Sequence, residues 1–355
     1  MGIEQTKEYV KVHCSTYLSK LGQAYKSLID TYPPLPNQPI PFHADPAYLK
    51  KLIHLSEPQT PSDVEQLEQR MGIKFRRVMG EIMFPMVKCR PDISPHAIIL
   101  SQFMNNPSEI HFQAVKDVLR YLVHTHNAGT HYWRDIPHPQ LPLAERPTPH
   151  PDNNHTVPQQ ETADPSVLCG YVDSDWATNT RKRTSMTGMI VMFAGGAVGY
   201  KSKFQPVIAH SSTEAEFVAA CDTAKHILFY RSLLAELGIE QHHATVLFED
   251  NNGALLMANA QQPTRRTRHM EIKHFALLDW VEQDMVILKH INTSNNTADT
   301  MTKTLSKNLF YRHYDSYMGF RIPKHCAKET LAPNPMHTLT RKQHSKHGGV
   351  LGIRT

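Results

Sequence analysis

The chain has 355 residues, 40% hydrophobic and 20% charged, a balance that excludes a wholly disordered protein and leaves room for one large domain or two ordinary ones. Its formal net charge of +5, with 23 histidines uncounted, is a mild basic excess that suits a polyanionic partner without demanding one. No apolar run approaches a bilayer span, no signal-peptide segment opens the chain, and Cys14, Cys89, Cys169, Cys221 and Cys326 form no C-x-x-C pair, so we expect no membrane partner, no disulfide framework, no zinc knuckle and an intracellular location, cytoplasmic or nuclear.

In chain order, "MGIEQT" fits the spacing of a myristoylation site, a short pattern for which chance is a sufficient explanation. The proline-rich stretch from Tyr32 to Pro46 reads as a loop, since proline cannot sit inside a helix or a central strand. Residues 75–104 predict two helices broken near Cys89, Arg90 and Pro91. A third helix is predicted from an Asn106 cap with Pro107 in its first turn, burying Phe112, Val115, Leu119 and Leu122. Residues 1–133 are therefore expected to form a small, mostly helical unit. The stretch from Arg134 to Pro165 is rich in proline and polar residues and poor in large aliphatics, the profile of a linker. At the far end, residues 323–355 are basic with no periodic apolar face and are expected to be disordered.

Between these two stretches, residues 166–322 change character. "VLCGYVDSDW", "MTGMIVMFAG" and "AVGYKSK" read as three antiparallel strands, the last two joined at Gly195-Gly196. A long helix follows, with Ala215, Val218, Ala219, Ile227, Leu234 and Leu237 as its buried stripe and Gly238 closing it. "ATVLFED" reads as a strand, "NNGALLMANA" and "EIKHFALLDWVEQD" as helices, "MVILKHI" as a strand and "NTADTMTKTL" as a final helix. The order βββαβααβα predicts an α/β fold of the α+β kind, a mixed sheet with helices packed on it.

Four carboxylates fall at element ends in this unit: Asp173, Glu216, Asp250 and Asp299. Strand C-termini are where open α/β sheets place ligands, and carboxylates gathered in one cleft require cations. Oxygen-rich sites of this kind suit Mg²⁺ or Mn²⁺. Each residue also has a plain structural explanation. Ser211 with Glu214 and Thr213 with Glu216 both have capping-box spacing; Asp299 suits a helix dipole; Asp250 suits a turn; Asp175 suits a solvated neighbour of Asp173.

"GYVDSDWA", "TSMTGMIVMFAGGAVGYKSKFQPVIAHSSTEAEFVAA", "FEDNNGAL", "RTRHMEIKHF" and "NTADTMTKTL", in this order, resemble the ribonuclease H domain of copia-type LTR retrotransposon Pol polyproteins. Upstream, residues 75–122 resemble the C-terminal part of the same family's reverse transcriptase, and residues 2–22 the segment just before it. The resemblance implies a ribonuclease H-like domain after a thumb or connection remnant of reverse transcriptase. It implies Asp173, Glu216, Asp250 and Asp299 as the ligands of two Mg²⁺ ions, with Mn²⁺ as a substitute, and cleavage of the RNA strand of RNA–DNA hybrids. Candidate donors to the hybrid backbone are Arg181, Lys182, Arg183, Lys201, Lys203, Arg265, Arg266, Arg268, His269 and Lys273. The family's usual tryptophan is Tyr200 here, and its second histidine is Phe275. The Tyr-x-Asp-Asp turn of the polymerase palm is absent from the sequence, so DNA synthesis by this chain alone is not expected, and the missing palm and fingers or other Pol chains are expected partners. The rival expectation is a non-catalytic nucleic-acid-binding relic.

Overall fold

A computed structural model describes residues 1–36, 39–41, 45–54, 60–134, 166–179, 182–259 and 271–320. The N-terminal segment opens with β1 (Gly2–Gln5) and β2 (Tyr9–His13) and closes with β3 (Gly129–Trp133), an antiparallel sheet in the order β1-β2-β3. Between them lie α1 (Ser15–Ala24), α2 (Lys26–Ile29), α3 (Pro46–His54), α4 (Pro61–Met71), α5 (Phe75–Lys88), α6 (Ser94–Ser101) and α7 (Glu109–His124). The segment is mostly helical, as expected, but its small sheet was not foreseen. Tyr9 pairs with Trp133 across more than a hundred residues, and two short strands so far apart carry no local hairpin signal. The chain breaks between α5 and α6 at Cys89 and Arg90, where the sequence predicts it. Helix α7 begins two residues later than predicted: Ser108, not Asn106, caps it, and the Ser108 amide donates to His111 Nδ1 at 2.8 Å. Phe112, Val115, Leu119 and Leu122 are all buried.

The second segment comprises β4 (Cys169–Asn179), β5 (Thr184–Phe193), β6 (Gly196–Phe204), α8 (Ser212–Glu236), β7 (Thr245–Glu249), α9 (Asn252–Asn259), α10 (Glu271–Glu282), β8 (Val286–His290) and α11 (Lys307–Tyr317). Its sheet is mixed, in the order β6-β5-β4-β7-β8, with β4, β5 and β6 antiparallel and β7 parallel to both β4 and β8. The hairpin turn sits one residue earlier than predicted. Phe193 pairs with Gly196, and the two linking residues, Ala194 (φ 52°) and Gly195 (φ 79°), are both left-handed, as a type I′ turn requires. Gly196 instead serves close approach, because a Cβ there would collide with the His131 carbonyl oxygen of β3. The stripe of α8 is buried as predicted except for Leu237, which lies past the helix end and is 66% exposed.

"NTADTMTKTL" is not the final α-helix. Thr293–Asn295 and Thr297–Met301 form two short 3-10 turns, and α11 follows only at Lys307. Side chains outcompete helical backbone bonding here: Asn292 accepts from the Ser294 amide, Asn296 from the Ala298 amide, and the Thr300 hydroxyl donates to the Thr297 carbonyl.

One face of this sheet packs against α8 through Val172, Val191, Phe217, Ala220, Ile227 and Leu247. The other face merges with the core of the N-terminal segment: Tyr171, Ile190 and Phe248 belong to the same apolar cluster as Phe75, Ile82, Phe112 and Leu119. Polar bonds fasten the same seam. The Tyr200 hydroxyl donates to the Met86 carbonyl at 2.7 Å, the Tyr132 hydroxyl to the Ala197 carbonyl at 2.7 Å, and the Trp133 indole to the Gly319 carbonyl at 2.8 Å. Beneath them Arg90, fully buried, grips Asp92 through both its Nε and Nη2 (2.9 and 2.6 Å) and also donates to Thr125, while Tyr121 donates to Asp92. A buried ion pair is tolerable only with its remaining hydrogen-bonding positions filled in this way.

Candidate active site

Strand register brings the first two acids together. Parallel strands β4 and β7 pair Tyr171 with Phe248, so the residues two further along, Asp173 and Asp250, lie at the same level as the strands diverge. Glu216 reaches them from α8. Ligand oxygens of Asp173, Glu216 and Asp250 all lie within 4.8 Å of one another, although the three residues come from three elements. The competing capping role falls to Glu214: Ser211 accepts from the Glu214 amide at 3.1 Å, and the Glu214 carboxylate accepts from the His210 amide at 2.9 Å. That leaves Glu216, two residues further in, buried and facing the other acids.

The fourth predicted acid is held differently. Asp299 lies in the second 3-10 turn, which is clamped over the sheet by Asn296 Nδ2 donating to the Val172 carbonyl (2.8 Å) and by the Ser202 hydroxyl donating to the Met301 carbonyl (2.6 Å). Its link to the cluster is a lysine: Lys303 Nζ stands 3.0 Å from Asp173 Oδ1 and 3.2 Å from Asp299 Oδ1. The Thr302 hydroxyl donates to the other oxygen of Asp173.

Two neighbours of these acids escaped the sequence reading. One is Lys303, whose signal was its spacing of four from Asp299. The other is Glu249, the residue before Asp250. Alternation along β7 points Leu247 and Glu249 toward α8, and Glu249 is completely buried, with its Oε1 accepting from the Asn251 amide. Its Oε2 has no hydrogen-bond partner, and neither has Oε2 of Glu216. The electrostatics follow. Burial first, then Glu249, Asp173 and Asp250, push the Glu216 carboxyl up to about 11. Burial and the neighbouring acids raise Glu249 as well. Asp299 is pushed up to about 8 by burial and by Asp173, against the opposing pull of Lys303. Asp175 is raised by burial. A set of acids that resists ionisation together is short of positive charge. Its donors are all oxygen, two of them buried and unpaired, which fits a hard divalent cation.

The basic residues are less well gathered. Lys182 and Arg183, in the turn between β4 and β5, and Lys203, on β6, are exposed. Lys201 is engaged by Asp222 at 3.0 Å and by His226 Nε2 at 3.3 Å. Arg181, Arg265, Arg266, Arg268 and His269, together with the side chain of Lys273, lie outside the described residues, as do most of the stretch from Arg134 to Pro165 and the basic tail from residue 321 onward. Tyr200, in the place of the family's tryptophan, has its own partner in Met86, and Phe275 is 46% exposed. No helix among the described residues is long and apolar enough to cross a membrane.

No family model matches the chain. It is 29% identical over 258 residues to the retrovirus-related Pol polyprotein from transposon TNT 1-94 of Nicotiana tabacum, a match covering 73% of this chain and 17% of that protein. It is 30% identical over 251 residues to the retrovirus-related Pol polyprotein from transposon RE1 of Arabidopsis thaliana, covering 70% of this chain and 15% of that protein. The chain thus spans about a sixth of the length of these curated relatives. Among solved structures, the LC11 RNase H1 isolated from compost aligns at 12% identity with a TM-score of 0.30, over 39% of this chain and 93% of that one. Over about 70% of its length, then, the chain is homologous to retrovirus-related Pol polyproteins of plant transposons.

Proposed function

We propose that the chain is a divalent-metal-dependent ribonuclease H, cleaving the RNA strand of RNA–DNA hybrids as part of a retrotransposon's reverse-transcription machinery. The observation that carries this reading is the convergence of Asp173, Glu216 and Asp250 from β4, α8 and the end of β7. Such a convergence of buried carboxylates is costly unless a cation completes it. Asp173, Glu216 and Asp250 would hold the ion, Mg²⁺ in the cell, with Asp299 behind Asp173. When bound, the metal supplies an activated hydroxide and charge stabilisation at a scissile phosphate.

The protein's own part is placement. Asp173 is fixed by Thr302 and Lys303, so its carboxylate does not rotate to meet its ligand. Glu216 and Asp250 approach from rigid elements on either side. Lys182, Arg183 and Lys203 offer exposed positive charge that would contact a nucleic-acid backbone, and 2′-hydroxyl recognition would distinguish the RNA strand.

The test is cleavage of a labelled RNA–DNA hybrid in Mg²⁺ by the parent protein and by Asp250→Asn. The expected outcome is cleavage by the parent and a loss of about 100-fold or more in the variant, as for removal of a group acting on the transition state. Hybrid binding with no cleavage above the variant would replace this reading with that of a binding relic.

A further inference from the structure

The carboxylates of the site are divided by a lysine. Asp173, Glu216 and Asp250 converge on one side, while Asp299 lies beyond Lys303, whose ammonium touches Asp173 and Asp299 together. The lysine leaves from the same backbone turn as Asp299, with the Lys303 amide bonded to the Asp299 carbonyl at 3.0 Å. Its side chain is 34% exposed, so its tip is pinned by the two carboxylates while its stem remains near solvent. The turn carrying both residues is anchored to β4 through Asn296 and to β6 through Ser202. Pulled out of this arrangement, Asp173 and Asp299 would face each other as buried like charges.

Building on the ribonuclease reading, we propose that Lys303 is a positioning residue that acts as a built-in cation. It occupies the space between Asp173 and Asp299, keeps the metal-free site folded, and limits divalent-ion binding to the Asp173–Glu216–Asp250 side. Asp299 on this account is first the partner of a lysine. A flexible ammonium suits that place because it carries a compact charge with three donors and can contact two carboxylates at once.

The experiment compares parent, Lys303→Met and Lys303→Arg by thermal melting in EDTA and then in Mn²⁺, with Mn²⁺ binding followed by electron paramagnetic resonance. In EDTA, K303M is expected to melt about 5 °C or more below the parent, because a buried carboxylate pair loses its cation. Mn²⁺ is expected to raise the melting temperature of K303M more than that of the parent, as the ion takes the vacated place, and the number of bound ions is expected to rise. K303R is expected to restore parent behaviour. Equal melting of K303M and parent in EDTA, or equal Mn²⁺ responses, would overturn the proposal. If K303M does not fold, the double variant Asp299→Asn with Lys303→Met decides: recovery supports the charge argument, whereas a protein that still does not fold shows that the lysine acts through packing, and the proposal falls. A parent that shows no Mn²⁺ response at all removes the metal reading of the site, while the ranking in EDTA still judges the lysine.

Discussion

At the level of single residues, Glu249 is the most deeply buried of the clustered acids. It is fully buried, one of its oxygens has no partner, and Glu216 stands opposite with an unpaired oxygen of its own. Burial and the neighbouring acids raise Glu249, so near pH 8 the metal-free fold must either keep it protonated or carry a buried charge; an amide of the same shape avoids both costs and supplies a donor. Glu249→Gln is therefore expected to stabilise the metal-free protein by ~1–3 kcal/mol. Urea denaturation in EDTA near pH 8 measures this, and a variant no more stable than the parent would show that Glu249 ionises there without penalty. Asp250, its chain neighbour, sits at the strand end where solvent and ligand can reach it. Two adjacent acids thus take opposite parts because a strand turns successive side chains to opposite faces.

Among the elements, the β5–β6 hairpin shows a local conflict. Ala194 adopts a left-handed conformation (φ 52°) that costs an L-residue with a Cβ roughly 1 kcal/mol more than glycine. Ala194→Gly is expected to raise stability by about 0.5–1 kcal/mol, read as a higher urea midpoint with unchanged slope. An unchanged or lower midpoint would mean that the turn relaxes in the parent. The same hairpin shows what could be read in advance. Alternating apolar runs flanking Gly195 were enough to place both strands, but the turn's register depended on Gly196 approaching His131, a contact across 65 residues that no local window contains. Asp173, Glu216 and Asp250 could be singled out because each stands in a distinctive run, although only Asp250 lies at an element end: Asp173 is in mid-strand, since β4 runs on to Asn179, and Glu216 is inside α8. Glu249 was not, because a glutamate inside "ATVLFED" looks like the last polar residue of a strand until α8 is known to cover that face. The 3-10 turns around Asp299 were misread as a helix because asparagine and threonine bonds to nearby backbone set their geometry, and apolar periodicity does not report such bonds.

For the molecule as a whole, several histidines are shut inside the fold as neutral rings. Burial lowers His96 to about 3, and His111 and His131 to about 4. His131 lies at the seam between the two segments, against Tyr9 and Phe320. A folded value below the ordinary 6.5 means that the unfolded chain takes up protons first. The stability these rings contribute is thus present above pH 6.5 and is lost as pH falls toward 4. The acids of the site act in the opposite sense, since Asp299 and Glu216 are raised: their contribution is present at low pH and is lost as pH climbs toward about 8 and about 11. Comparing the parent with His131→Gln separates the two trends. Between pH 6.5 and 5 the parent is expected to lose about 2 kcal/mol more than the variant in urea titrations. Parallel curves would show that His131 does not resist protonation.

The bonds that cross the sheet's inner face also bear on how this chain can diverge. Trp133, just before the proline-rich stretch, is tied to Gly319 and Ala194, and Leu168, just after it, is held by Gln241. Both ends of the intervening sequence are therefore moored to one folded body, by bonds in which none of residues 135–165 takes part. Changes of sequence within that interval leave those moorings intact, so related chains are expected to differ more between Trp133 and Leu168 than at the bonds on either side.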